Sequence, residues 1–166
     1  MENSDKKIRT AVIPGSFDPL TIGHYDIVRR AAKMFDRVYL TVFVNSAKKT
    51  MFSLEERTEM IRLVASEFPN VTGDVSECLL ADYACERGAV VIKGVRGMID
   101  FDYELNLSHL NRRINPETDT LLMPARQEYM EVSSTFVREL LRYGRDVSRY
   151  VPLVVGRYLS EIQGNG

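Results

Sequence analysis

The chain has 166 residues, 22 Lys plus Arg against 23 Asp plus Glu, and a formal net charge of −1. This length fits one domain, read as residues 1–166, and lets about 68–70% of the unfolded surface be buried, enough for an ordinary core. An apolar share of 45% excludes disorder, and the near-zero charge excludes a general nucleic-acid surface, which needs a Lys/Arg excess; a small anion held by a local cluster stays open.

In chain order, Met1-Glu2-Asn3-Ser4-Asp5-Lys6-Lys7 is polar and lacks the apolar run of a secretory signal. No uncharged stretch approaches the ~20 apolar residues of a membrane span. The expectation is a cytoplasmic protein with no membrane partner.

Residues 8–13 read as a first strand and residues 25–34 as a helix with Ile27, Val28, Ala31 and Ala32 as its apolar stripe. A second strand spans 38–44. Ser53 and Glu56 form a capping-box pattern that opens a helix to about 68, stopped by Pro69. Residues 71–75 suggest a weaker strand. Residues 79–87 suggest a helix closed by Gly88. Cys78 and Cys85, in that helix-like stretch, read as two reduced core thiols rather than a disulfide or metal pair. With His24 and His109 as the only histidines, the chain offers poor material for a protein-held metal.

The apolar run 89–92 suits a strand covered on both faces. A helix over 99–113, a strand over 120–123, a helix over 134–143 closed by Gly144, and a last helix after Pro152 complete the chain. This is βα repeated five times plus a C-terminal helix. It predicts an α/β fold, a five-stranded parallel sheet with helices on both faces. Ligands of such sheets bind beyond the C-terminal strand ends, where strand order reverses. The first and fourth strands should be neighbours there.

The segments after the strands are rich in anion-binding chemistry. Pro14 to His24 supplies Ser16, a capping Thr21 and His24 in a first helical turn, where free N–H groups and the dipole favour phosphate. Lys48 and Lys49 follow the second strand. Lys93-Gly94-Val95-Arg96-Gly97 interleaves cations with glycines after the fourth, and it is not a Walker P-loop. Asp100, Asp102 and Glu104 form an acidic face beyond it, and His109 reads as structural or as a subunit contact. Ser133, Ser134 and Thr135 place three hydroxyls at a helix start, with Arg138 one turn later, and suggest a triphosphate seat. Lys48, Lys93, Arg96 and Arg138 are the expected local positive set.

Two short strings carry a family resemblance. Thr21-Ile22-Gly23-His24 resembles the (H/T)xGH signature of the nucleotidyltransferase superfamily, and Val132-Ser133-Ser134-Thr135-Phe136-Val137-Arg138 resembles its ISSTxxR signature. Together with KKTMFSLEER and the discriminating KGVRGMIDFDYELNLSHLNR, they make residues 8–160 similar to the bacterial phosphopantetheine adenylyltransferase family. The resemblance implies a Rossmann-like doubly wound sheet, a homohexamer, and transfer of AMP from ATP to 4′-phosphopantetheine with Mg²⁺ bound on the ATP phosphates. The products are dephospho-coenzyme A and pyrophosphate, by direct attack of the substrate phosphate without a covalent enzyme intermediate.

Position by position, the resemblance implies a transition-state role for His24, with Lys48 and Arg96 as further catalytic residues. It implies that Ser16 meets both substrates, and that Lys48, Leu80 and Lys93 bind the acceptor. ATP contacts fall on Phe17, His24, Gly94, Val95, Arg96, Glu104, Tyr129, Met130, Glu131, Val132, Ser133, Ser134 and Thr135. Lys93 stands where many members have arginine, which keeps the charge but loses the planar fork. Tyr129 stands where some have tryptophan. Related transferases with nicotinate mononucleotide or glycerol phosphate as acceptor are the nearest rivals; a non-catalytic nucleotide sensor is a more distant one.

Overall fold

The structure is a computed structural model that describes residues 8–164. The βα alternation appears as β1 (Thr10–Gly15), α1 (Ile22–Met34), β2 (Arg37–Phe43), α2 (Leu54–Ala65), β3 (Val71–Ser76), α3 (Leu80–Glu86), β4 (Ala89–Val95), α4 (Met98–Ile114), β5 (Thr120–Pro124), α5 (Ser134–Arg142) and α6 (Leu153–Gly164). A single 3-10 turn, Gln127–Tyr129, precedes α5. The strands form one parallel sheet in the order β3-β2-β1-β4-β5. Order reverses between β1 and β4, so the expected adjacency holds.

Strand periodicity feeds two cores. Ala11 and Ile13 point to one face of β1 and Val12 to the other. On the larger side they meet Ile27 and Val28 of α1, Met60 of α2, Val137 of α5 and Val155 of α6. On the smaller side Val12 and Val91 meet Tyr83 and Ala84 of α3. Helix α4 flanks α3 and the β4–β5 edge, and none of its residues is buried. Among the described residues no helix is long and apolar enough to cross a membrane.

The element boundaries differ from the sequence pattern where side chains decide them. Helix α1 begins at Ile22, ahead of the periodic stretch from residue 25, and Thr21 caps it with His24 in its first turn, as expected. Helix α2 opens on the expected Ser53–Glu56 capping box but ends at Ala65. A turn over 66–69 intervenes, since the residue before Pro69 is disfavoured in helix. Cys78 is exposed and precedes α3, with its thiol 2.9 Å from Ser76 Oγ, so it is not the core thiol the sequence suggested. Cys85 is half-buried and also free.

Strand β1 continues two residues past the expected end, to Gly15. It pairs with β2 along its whole length but with β4 only from Thr10 to Val12. Beyond Val12 the two strands part, and Pro14, with no N–H, has no donor to offer a neighbour there. The chain then turns sharply through Phe17, which holds φ at 48°. Its buried ring packs back under Gly15, where a Cβ would stand 2.8 Å from the ring's Cζ. The Gly15→Ala variant should therefore lose about 1–3 kcal/mol of stability, the scale of overpacking a core. Urea denaturation checks this, and a wild-type midpoint would show that the ring has room to yield.

Candidate functional site

The parting of β1 and β4 opens a cleft of about 300 Å³. The start of α1 forms one wall with Thr21, Gly23 and His24. The end of β4 and α4 supply Gly94, Arg96, Asp100 and Glu104. Ala125 and Tyr129 come from the segment after β5, and Val132, Ser133, Ser134 and Thr135 lead into α5. Two strings over 100 residues apart in sequence thus face each other. Gly94 matters to this closeness, since a Cβ there would lie 3.1 Å from Ile27 Cγ1 on α1.

His24 is held by an unusual capping box. The Thr21 N–H donates to His24 Nδ1 at 3.1 Å, and the His24 N–H donates to Thr21 Oγ1 at 3.4 Å. A backbone amide can only donate, so Nδ1 must carry a lone pair, and the neutral ring has its proton on Nε2. The Phe17 ring stands edge-on to the imidazole, 5.3 Å between centroids. Burial, with Arg96 and Lys93 nearby, pulls the imidazole down to about 4 from 6.5. At neutral pH the cleft therefore holds an uncharged donor fixed in one tautomer.

First-turn amides add to it. The Ile22 N–H donates to Tyr150 O at 2.8 Å, and the Gly23 N–H, as a first-turn amide, has no intrahelical acceptor. At α5, Ser133 is the cap, its Oγ accepting from the Phe136 N–H at 3.1 Å. The Ser134 and Thr135 amides are then first-turn donors at the positive dipole end.

The cations are not all equivalent. Arg96 grips Asp100 through Nε at 2.8 Å and Nη2 at 3.2 Å, which holds the Asp100 carboxyl below the usual carboxylate range. Lys93 Nζ lies 3.2 Å from Glu104 Oε1, with both side chains mostly buried. Lys48 is exposed and its Nζ reaches Ser16 Oγ at 3.5 Å. Arg138 departs from the expected phosphate seat. It donates to Asp18 O at 2.7 Å and to Thr135 Oγ1 at 3.1 Å, and lies 3.6 Å from Asp18 Oδ2, so it braces the loop instead. The Ser134 hydroxyl is likewise engaged, donating to Pro19 O at 2.8 Å.

Two residues that sequence reasoning did not single out build this loop. The buried carboxylate of Asp18 accepts from the Met51 and Phe52 amides, both at 2.9 Å. Buried Arg57 donates to Ser16 O at 2.9 Å and to Phe52 O at 3.3 Å. The β1–α1 loop, the segment after Lys48, and α5 are so tied into one body. Arg57 ends the KKTMFSLEER string, but nothing local marks the Ser16 carbonyl as its acceptor.

Other expected residues fall in different places. The side chains of Phe17 and Val95 are buried, so their backbones are what the cleft can meet. Met130 and Glu131 are exposed and do not line it. Leu80, Lys93 and Glu104 border a small second cavity against α4, and Glu104 faces both spaces. His109 is exposed on α4. Among the described residues no group of three or more His, Cys, Asp or Glu is arranged to hold a metal ion.

A doubly wound sheet with a crevice at its strand reversal, lined by hydroxyls, helix-start residues and Arg96, defines the Rossmann-like class. The cytidylyltransferase-like family profile matches residues 12–140, and the chain belongs to that family, part of the nucleotidyltransferase superfamily. Among solved structures it is similar to a Vibrio parahaemolyticus protein assigned as a nicotinate-nucleotide adenylyltransferase, with a TM-score of 0.69, 18% identity and 93% of each chain covered. At that identity the likeness concerns the fold.

Imidazole resonances should show His24 as the Nε2–H tautomer at pH 7, with a titration midpoint near 4 rather than 6.5. The folded state favours the neutral ring. Its contribution to stability is therefore complete above pH 6.5 and is lost as pH falls toward 4. An Nδ1–H tautomer, or a midpoint at the ordinary value, would contradict the capping geometry.

Proposed function

We propose that this nucleotidyltransferase is a pantetheine-phosphate adenylyltransferase, joining ATP and 4′-phosphopantetheine into dephospho-coenzyme A and pyrophosphate. The observation that carries the reading is the convergence of the 21–24 and 132–135 strings on one cleft, beside a second small cavity bordered by the Lys93–Glu104 ion pair. The nucleotide side is His24, Arg96, the Gly23 amide and the α5 start, with Gly94, Glu104 and Tyr129 around the adenosine. The acceptor side is Lys48, Ser16, Lys93 and Leu80. The string KGVRGMIDFDYELNLSHLNR, which supplies Lys93, Arg96 and Glu104, supports this acceptor over nicotinate mononucleotide or glycerol phosphate.

The chemistry needs no protein nucleophile. The acceptor's phosphate has a second pKa of about 6 and is mostly dianionic at neutral pH. One of its oxygens attacks the α-phosphorus of ATP, and the bond from that phosphorus to the β-bridging oxygen breaks in line, releasing pyrophosphate. Lys48 and Lys93 draw the anionic acceptor in and offset repulsion between the two phosphates. The Nε2–H of His24 and the guanidinium of Arg96 stabilise charge that builds on the transferring group. A neutral histidine suits this role, because it donates without needing to titrate.

Mg²⁺ keeps several waters and is usually held by substrate phosphates with one or two carboxylates. Asp100 and Glu104, the carboxylates lining the cleft, are each paired with a cation, Arg96 and Lys93, so an ion that arrives on ATP would be held by the phosphates and its waters. Such an ion would offset phosphate charge. A homohexamer in the cytoplasm accompanies this reading. Helix α4 supports assembly, since Ile99 is 87% and Met98 72% exposed there.

Purified protein given ATP, Mg²⁺ and 4′-phosphopantetheine should form dephospho-coenzyme A, read by mass spectrometry. Pyrophosphate release with nicotinate mononucleotide or glycerol phosphate instead would overturn the acceptor. The His24→Ala variant should lose roughly 10²–10³ in kcat, the scale for one positioned electrostatic donor. The Lys48→Ala variant should raise KM for the acceptor and lower kcat together, and wild-type kinetics would remove Lys48 from the site.

A further inference from the structure

Two residues beyond His24 on α1, Asp26 is buried, 2% exposed, although it sits on a helix flanked by cations. Three arginines converge on its carboxylate. Arg29 Nη2 lies at 2.7 Å and Arg30 Nη1 at 3.4 Å, both from the same helix, while Arg126 Nε reaches it at 3.3 Å from the segment after β5. Arg30 Nη1 also donates to Pro124 O at 2.8 Å, the last residue of β5. The same segment is tied to β4 by the Ala125 N–H donating to Val95 O at 2.8 Å. It then folds into the 3-10 turn that ends at Tyr129. Ala125 and Tyr129 are cleft residues, whereas Arg126 is turned away toward α1.

One buried carboxylate thus grips, from behind, the stretch of chain that forms a wall of the nucleotide cleft. The same helix presents His24 to that cleft from its first turn. A buried charge is retained only at a cost unless it is paired, and here the pairing reaches across to a loop rather than into the core. We propose that Asp26 is a positioning residue for nucleotide binding: with Arg30 and Arg126 it fixes the 124–129 segment at the distance from α1 that the adenosine-bearing ligand requires. This rests on the nucleotide reading of the cleft given above. Lys48, Ser16 and Leu80 lie outside this brace, so the acceptor side is not expected to feel it.

Calorimetric titration with ATP alone and with 4′-phosphopantetheine alone tests this without turnover. The Arg126→Gln variant removes the loop-side partner at an exposed position, where folding is not at risk. Its ATP Kd should rise roughly threefold, the scale of a partly exposed ion pair, with acceptor Kd unchanged. The Asp26→Asn variant, which releases all three arginines, should weaken ATP by roughly tenfold or more, in line with breaking a pair that has a buried member. The Arg29→Gln variant, which removes the ion pair to Asp26 on α1 itself while its charge acts on the loop only through Tyr129, should lose less ATP affinity than Arg126→Gln. Wild-type ATP affinity in Arg126→Gln would overturn the proposal, as would an equal loss in Arg126→Gln and Arg29→Gln, since that would mark a general charge effect. If Asp26→Asn does not fold, the two arginine variants decide. If the wild-type protein binds no ATP, the nucleotide reading fails and takes this inference with it; if it binds ATP but makes no dephospho-coenzyme A, only the acceptor assignment falls.

Discussion

The parting of β1 from β4 after Val12 is the constraint on which the site depends. Had the two strands stayed paired to their ends, their backbones would have consumed each other's hydrogen bonds and left no crevice. Pro14 ends the donor row, Gly15 admits the Phe17 ring beneath it, and Phe17 turns the chain toward α1. The turn places Thr21 where it can cap α1, and that cap sets the tautomer of His24. A local steric arrangement at the end of one strand is thereby converted into a fixed hydrogen-bond donor inside the cleft.

Around that opening, polar groups are used twice. Asp18 fastens the segment that follows Lys48 while being braced by Arg138, and Arg57 holds Ser16 and Phe52 by their carbonyls. These are buried charges with several hydrogen bonds each, the condition under which burial is tolerable. They make the loops part of the rigid body, which suits the proposed task of positioning two anions rather than supplying a nucleophile. The cations of the cleft and of the small cavity beside it are treated alike. Carboxylates on α4 pair with Lys93 and Arg96, so the positive charge is held in defined geometry without self-repulsion.

Much of the fold was legible from pattern. The β-branched runs and 3.6-period stretches specified the element order, and parallel chirality rules left few ways to arrange it. The capping box at Ser53 and the closing glycines at 88 and 144 were readable because caps are local. The end of α2 was misjudged by a few residues, since apolar period says little about where a turn takes over. The site was half legible. His24, Arg96 and the 132–135 string could be singled out because anion-binding chemistry sits at strand ends. Arg138 could not be read correctly, because a cation after three hydroxyls looks the same whether it faces a phosphate or Asp18. Asp18, Arg57 and Asp26 gave no local signal at all.

The amino-acid order alone therefore specified the α/β class, the place of the crevice and the family, because each rests on local periodicity or on short contiguous strings. A net charge of −1 excluded a polyanion surface, and that reading concerns composition only. Which cations face the cleft, which ones brace loops, and which ring nitrogen of His24 carries the proton needed three dimensions. The physical reason is common to all of them: a charge or hydrogen bond takes its meaning from its partner, and here the deciding partners, Ser16 for Arg57, Asp26 for Arg126 and Asp18 for Arg138, lie about 40 to 120 residues away in the chain.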